Sequence, residues 1–191
     1  MSVALEPFGD SAFRARLPEG ANARALLSAL RSHPRVIDAV VTERHALVTF
    51  DPASPPERLD AAIEDALAAR DTRDAPREHL VRVHYDGVDL REVAEAAGCA
   101  SGDVASLHAG RPYAVVAVGF LPGFAYLRGL DARLTIPRRP TPRARIARLS
   151  VAVAGPYTGI YPFASPGGWN VIGTACGFSP TARSLSPKRV R

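Results

Sequence analysis

The chain has 191 residues, 47% of them hydrophobic and 23% charged, with a formal net charge of +5. These are the proportions of an ordinary globular protein with one large or two small cores, and no run of eighteen apolar residues exists to span a membrane as a helix. The basic excess is a weak argument for nucleic acid, because it is nearly all arginine, Lys188 being the only lysine. The arginine stretch from Arg138 to Arg148 also lacks base-stacking aromatics. The start, Met1 to Pro7, has neither a basic nor an apolar leader segment, so the cytoplasm is the expected location. Cys99 and Cys176 lie far apart, away from any histidine cluster. They are read as small hydrophobes rather than a disulfide or zinc site.

In chain order, Ala12 to Leu17 alternates like a half-buried strand. Ala21 to Ser32 sets Ala25, Leu26, Ala29 and Leu30 on one helical face, and His33-Pro34 stops it. Val36–Thr42 and His45–Phe50 read as a hairpin. Ser54 is a candidate N-cap for an amphipathic helix carrying Leu59, Ile63, Ala66 and Leu67. A last alternating run, His79 to Tyr85, completes strand-helix-strand-strand-helix-strand, the order of a ferredoxin-like α+β unit.

Two short helices follow, Asp89–Ala97 and Ser101–His108, the second with Ser101 as its expected cap and Asp103 in its first turn. From Pro112 onward the pattern is all-β. Tyr113–Gly119 is a continuous apolar strand, Leu149–Ala154 another, and glycine and proline separate the rest. The expected division is an α+β domain over residues 1–80 and a β-sandwich or barrel over 81–191.

Three glycine-rich segments are candidates for a ligand site on that β scaffold: Gly119 to Leu127, Gly155 to Pro162, and Ser165 to Asn170. Gly119, Gly123, Gly167 and Gly168 allow backbone amides to face an anion. Tyr161 and Trp169 either wall a pocket or pack the core. Arg138, Arg139 and Arg143, stiffened by neighbouring prolines, are suited to bidentate contact with carboxylate or phosphate. His108, ending a helix just before the buried strand, is the candidate acid or base. No Walker A, HExxH, GxSxG or paired CxxC motif is present.

Leu107-His108 with Tyr113, GFLPGFAYL (119–127), Pro137-Arg138-Arg139, Thr141-Pro142-Arg143, TGIYP (158–162) and SPGGWNVIG (165–173) occur in one order. Together they resemble the 5-oxoprolinase B-subunit family, also called allophanate hydrolase subunit 1 or the KipI-type kinase inhibitor family. Tyr85, Gly87 and Asp89-Leu90 fit its interdomain segment. The resemblance implies an N-terminal α+β domain and a C-terminal cyclophilin-like β-barrel. It implies a hetero-oligomer with two partners. One is a second-type allophanate hydrolase homologue, the C component of 5-oxoprolinase, and the other a homologue of its lactam-handling A component. It implies cleavage of 5-oxoproline to glutamate at the expense of ATP. Because no stretch of the chain carries a nucleotide cradle, nucleophile-base pair or metal cluster, ATP with magnesium is expected at a site shared with a partner, and this chain is expected to be inactive by itself. No metal ligand is assigned within this chain. A histidine-kinase inhibitor and a urea or allophanate pathway component are the alternatives. The chain departs from the family at Leu149-Ser150, where relatives read roughly glycine-serine, at Thr174-Ala175, and in a shorter tail whose residues 187–191 only echo the usual closing strand.

Overall fold

The computed structural model describes residues 3–68, 77–177 and 188–190, and the chain divides into two units, Met1–Asp74 and Ala75–Arg191. The first contains β1 (Leu5–Pro7), β2 (Ala12–Arg16), α1 (Ala23–Ser32), β3 (Asp38–Val41), β4 (His45–Thr49) and α2 (Leu59–Ala68). Its sheet is antiparallel in the order β1-β2-β4-β3. Asn22 caps α1 by accepting the Ala25 N–H at 3.0 Å, and Leu26 and Leu30 are fully buried. They meet Leu59 and Ile63 of α2 and Ala46 and Val48 of β4 in one core. Ser54 does not cap α2, which begins at Leu59; its own N–H instead closes a turn onto Asp51 O.

The strand order of this unit differs from the ferredoxin-like expectation. The run 79–85 does not return to this sheet, and β1, from the start of the chain, holds the edge beside β2. The strand in question, β6 (Arg82–His84), belongs to the second unit, as does β5 (Arg77–His79).

That second unit continues with α3 (Leu90–Ala97), α4 (Ser101–Ala109), β7 (Tyr113–Val118), β8 (Ala125–Arg128) and a short 3₁₀ turn (Ala132–Leu134). Then come β9 (Arg143–Ile146), β10 (Ser150–Ala154), β11 (Tyr157–Ile160), β12 (Ser165–Gly167), β13 (Asn170–Cys176) and β14 (Lys188–Val190). Ser101 is the first residue of α4, not its cap; the Asp103 carboxylate accepts the N–H of Ala100 before it. The large sheet runs β5-β14-β7-β8-β11-β10-β13-β6, antiparallel except for the β14–β5 pair, and a separate ribbon pairs β12 with β9. Among the described residues it does not close into the expected barrel, because its end strands β5 and β6 do not pair. Of the echoed tail, Lys188–Val190 form β14, while Pro187 and Arg191 lie outside the described residues.

β10 explains how both faces of this sheet are covered. Every residue in it is buried. Val151 and Val153 point into a core with Val93 and Ala94 of α3 and Val104 of α4, while Ala152 and Ala154 pack with Phe124, Tyr161 and Trp169. Strand alternation thus serves two cores, and the small alanines leave room for large rings. No described helix is long and apolar enough to cross a membrane.

Candidate functional site

Asp89, immediately before α3, has no solvent exposure. Its side chain does not cap α3. The segment Gly87–Asp89 lies against β13, with the Gly87 and Asp89 N–H groups donating to Ile172 O and Val171 O. A Cβ on Gly87 would strike the backbone of Ile172 and Val171, so only glycine fits. The carboxylate accepts from Arg139 Nη1 at 2.6 Å, Arg143 Nη2 at 2.6 Å, Arg143 Nη1 at 2.7 Å and the Val171 N–H at 2.7 Å. Arg139 also reaches Glu92 at 2.8 Å, and Arg143 is held more firmly protonated, chiefly by its hydrogen bonds to Asp89.

The arginine stretch is therefore split. Arg139 and Arg143 turn inward onto a carboxylate of their own chain, so the bidentate geometry expected for a ligand is used to fasten the 137–143 loop. Arg138 is exposed, makes no ion pair among the described residues, and lies close enough to Tyr161 for its charge to favour the phenolate. Asp89 was missed in the sequence because an acidic residue before a helix reads as an ordinary N-terminal charge. Its partners are 50 and 54 residues away.

The three glycine-rich segments do meet. Phe124 stands edge-to-face with Tyr161 and Trp169, ring centroids 5.3 Å apart in each case, and Tyr126 with Trp169 at 5.7 Å. Tyr161 and Trp169 are 1% and 5% exposed, which makes them core rather than pocket walls. Burial pushes the Tyr161 hydroxyl up to about 12. Gly167 is required beneath it, because a Cβ would come within 2.5 Å of that hydroxyl. Gly168 O accepts the Arg139 N–H at 2.8 Å, which ties this segment to the arginine loop.

In the 119–124 loop, three amides are used internally: Gly119 to Phe124 O, Leu121 to Gly119 O, and Phe124 to Leu121 O. Gly123 has φ +85, yet the loop is not a row of free N–H groups. Phe120, by contrast, is held at φ +69 and is 60% exposed. Its ring meets Phe124 at 5.6 Å and Tyr161 at 6.4 Å. A large side chain kept in a left-handed conformation at the surface is a costly arrangement.

His108, in the last turn of α4, is 6% exposed. Its Nδ1 is 2.8 Å from Tyr85 Oη and its Nε2 2.9 Å from Thr158 Oγ1. Thr158 donates to Ala152 O at 3.0 Å, so its oxygen accepts from His108 Nε2–H. Nδ1 then accepts from the Tyr85 hydroxyl. Burial lowers the imidazole to about 4, and Tyr113 donates to the His108 carbonyl at 2.6 Å. The neutral ring is the middle of a chain of three side chains.

Among the described residues, no group of three or more His, Cys, Asp or Glu could hold a metal ion. Two of the three candidate arginines are engaged, and the loop amides are largely paired. These residues do not by themselves form a cradle for ATP with magnesium.

The family model described as "Carboxyltransferase domain, subdomain C and D" matches residues 3–187. The chain is 32% identical to the 5-oxoprolinase B subunit of Bacillus subtilis over 88% of this chain and 80% of that protein. It is 33% identical to the 5-oxoprolinase B subunit of Haemophilus influenzae, over 88% and 84%. The crystal structure of TTHA0988 superposes with a TM-score of 0.76 at 36% identity, covering 94% of this chain, which spans 39% of that protein's length.

Proposed function

The chain belongs to the 5-oxoprolinase B-subunit family, and from that membership we propose that it works as one subunit of an ATP-dependent enzyme that opens 5-oxo-L-proline to L-glutamate. The observation that carries this reading is similarity to relatives of that name along most of the chain, at 32–33% identity over 88% of it. Membership as a B subunit implies other subunits. In this reading they are a second-type allophanate hydrolase homologue and a lactam-handling protein.

The chemistry asks for a division of labour. A lactam carbonyl is a poor electrophile, and transfer of a phosphoryl group to its oxygen makes ring opening feasible. That transfer needs cations and N–H groups aimed at phosphoryl oxygens. Among the described residues of the 137–143 loop, Arg138 is the arginine without an ion pair, and the Asp89 clamp on Arg139 and Arg143 holds that loop. One unpaired cation in this loop is too little for a triphosphate with its metal, so ATP and magnesium are assigned to a site completed by a partner, with Arg138 facing the carboxylate or phosphoryl group. Exposed Phe120 beside Tyr161 supplies an aromatic contact of the kind that anchors interfaces.

The test is glutamate release and ATP hydrolysis by purified subunits, alone and mixed. The proposal expects turnover only in the mixture. Full turnover by this chain alone would remove the shared site, and a complete mixture inert toward 5-oxoproline would remove the activity.

A further inference from the structure

On the α4 side of the large sheet, Val83, Tyr85, His108, Tyr113, Leu127 and Thr158 line a cavity of about 140 Å³. The lining comes from α4, β7, β8 and β11 and from β6 at the far end of the strand order, so the sheet curls around this space. We propose that the cavity binds a small uncharged molecule, one ring in size, that donates an N–H or O–H to the Tyr85 oxygen.

Three observations lead there. The first is size: an apolar protein cavity of about 150 Å³ holds one benzene, whereas a water occupies about 30 Å³. The second is the direction of the hydrogen bonds. Thr158 donates to Ala152 O, His108 to Thr158, Tyr85 to His108 and Tyr113 to the His108 carbonyl, so each proton on these groups is already placed. What the polar wall has left is oxygen lone pairs, and a bound molecule must bring the donor.

The third is charge. Among the described residues, no Asp, Glu, Lys or Arg lines the cavity. Burial keeps the imidazole neutral, with a pKa lowered to about 4, and holds the Tyr85 phenol protonated, raised to about 12. An ion entering would lose its hydration with no opposite charge to offset the loss. The 5-oxoproline anion is therefore the wrong ligand here, and this site is independent of whether the chain takes part in opening 5-oxoproline.

The experiment uses the full chain and three probes: 2-pyrrolidinone, cyclopentanone (a ring of similar size without the N–H) and the 5-oxoproline anion. Thermal unfolding and the ¹⁵N resonances of the His108 ring are followed against concentration. 2-Pyrrolidinone is expected to raise the melting temperature in a saturable way and to move the ring resonances, since a ligand of the folded state stabilises it by mass action. Cyclopentanone should bind about tenfold more weakly for want of the hydrogen bond, and 5-oxoproline should leave both signals unchanged. Tyr85→Phe should remove the difference between the two neutral probes. Ala109→Trp, at an exposed lining position, should abolish the response while the ligand-free melting temperature stays near that of the parent. The proposal is overturned if 2-pyrrolidinone gives no saturable response, if the response survives Ala109→Trp, or if the 5-oxoproline anion binds as well as the neutral ring.

Discussion

Arg143 sits on Asp89 as a two-pronged fork, Nη2 to Oδ1 at 2.6 Å and Nη1 to Oδ2 at 2.7 Å, with the carboxylate fully buried. Asp89→Ala leaves Arg139 and Arg143, 26% and 29% exposed, and the Val171 N–H without their shared acceptor, and should destabilise the second unit by about 1.5–3 kcal/mol. Arg143→Lys, which cannot reproduce the fork, should cost about 1.5–3 kcal/mol. Urea unfolding followed by the emission of Trp169, buried in the same unit, reads both. Parent-like midpoints in both variants would show that the pair contributes nothing to stability.

Arg138 should behave in the opposite way. It makes no ion pair among the described residues and is exposed, so Arg138→Lys should leave the urea midpoint unchanged. If it faces a carboxylate or phosphoryl group in the assembled enzyme, loss of the bidentate contact should lower kcat/KM of the mixed subunits about ten- to a hundredfold. Unchanged kinetics would return Arg138 to a solvated surface.

His108 makes stability depend on pH in a definite window. Its folded pKa is about 4, lowered by burial from 6.5, so between those values the unfolded chain binds a proton that the folded chain does not. Stability from this group is complete above about pH 6.5 and falls as pH drops toward 4, by up to about 3 kcal/mol. His108→Gln should flatten the curve of urea midpoint against pH between 4 and 6.5. A parallel curve in the variant would assign the acid sensitivity to other groups.

Leu149 occupies a position that its family resemblance expects to be glycine, and its φ is +65. The left-handed conformation costs a residue with a Cβ about 1–2 kcal/mol, while Leu149 recovers part of that by packing against the core beside Val151. Leu149→Ala loses the packing and keeps the strain; Leu149→Gly loses the packing and relieves it. The glycine variant should therefore be the more stable of the two by about 1 kcal/mol, a reversal of the usual order of alanine and glycine. Thermal unfolding of the pair decides it, and an alanine variant equal to or above glycine would refute the strain.

Local pattern settled the elements that depend on neighbours in sequence. Helix α1, with Leu26 and Leu30 inward, and the hairpin β3–β4 lie where periodicity and turn residues put them, because amphipathic spacing and turn chemistry act over a few residues. The order of motifs from His108 to Gly173 likewise sufficed for the family. What needed the tertiary structure was the choice of partner. Alternation in residues 82–84 marks a strand but does not say which sheet takes it, and β6 pairs with β13, where His84 faces Thr174. Composition made Arg139 and Arg143 available for a ligand, whereas the fold brings Asp89 to them from 50 and 54 residues away. Tyr161 and Trp169 had either a wet or a dry role until strands β10, β11 and β13 closed around them. Faces and turns are set by short-range sterics; pairing and burial are set by which distant surfaces complement one another, and that information is spread along the chain.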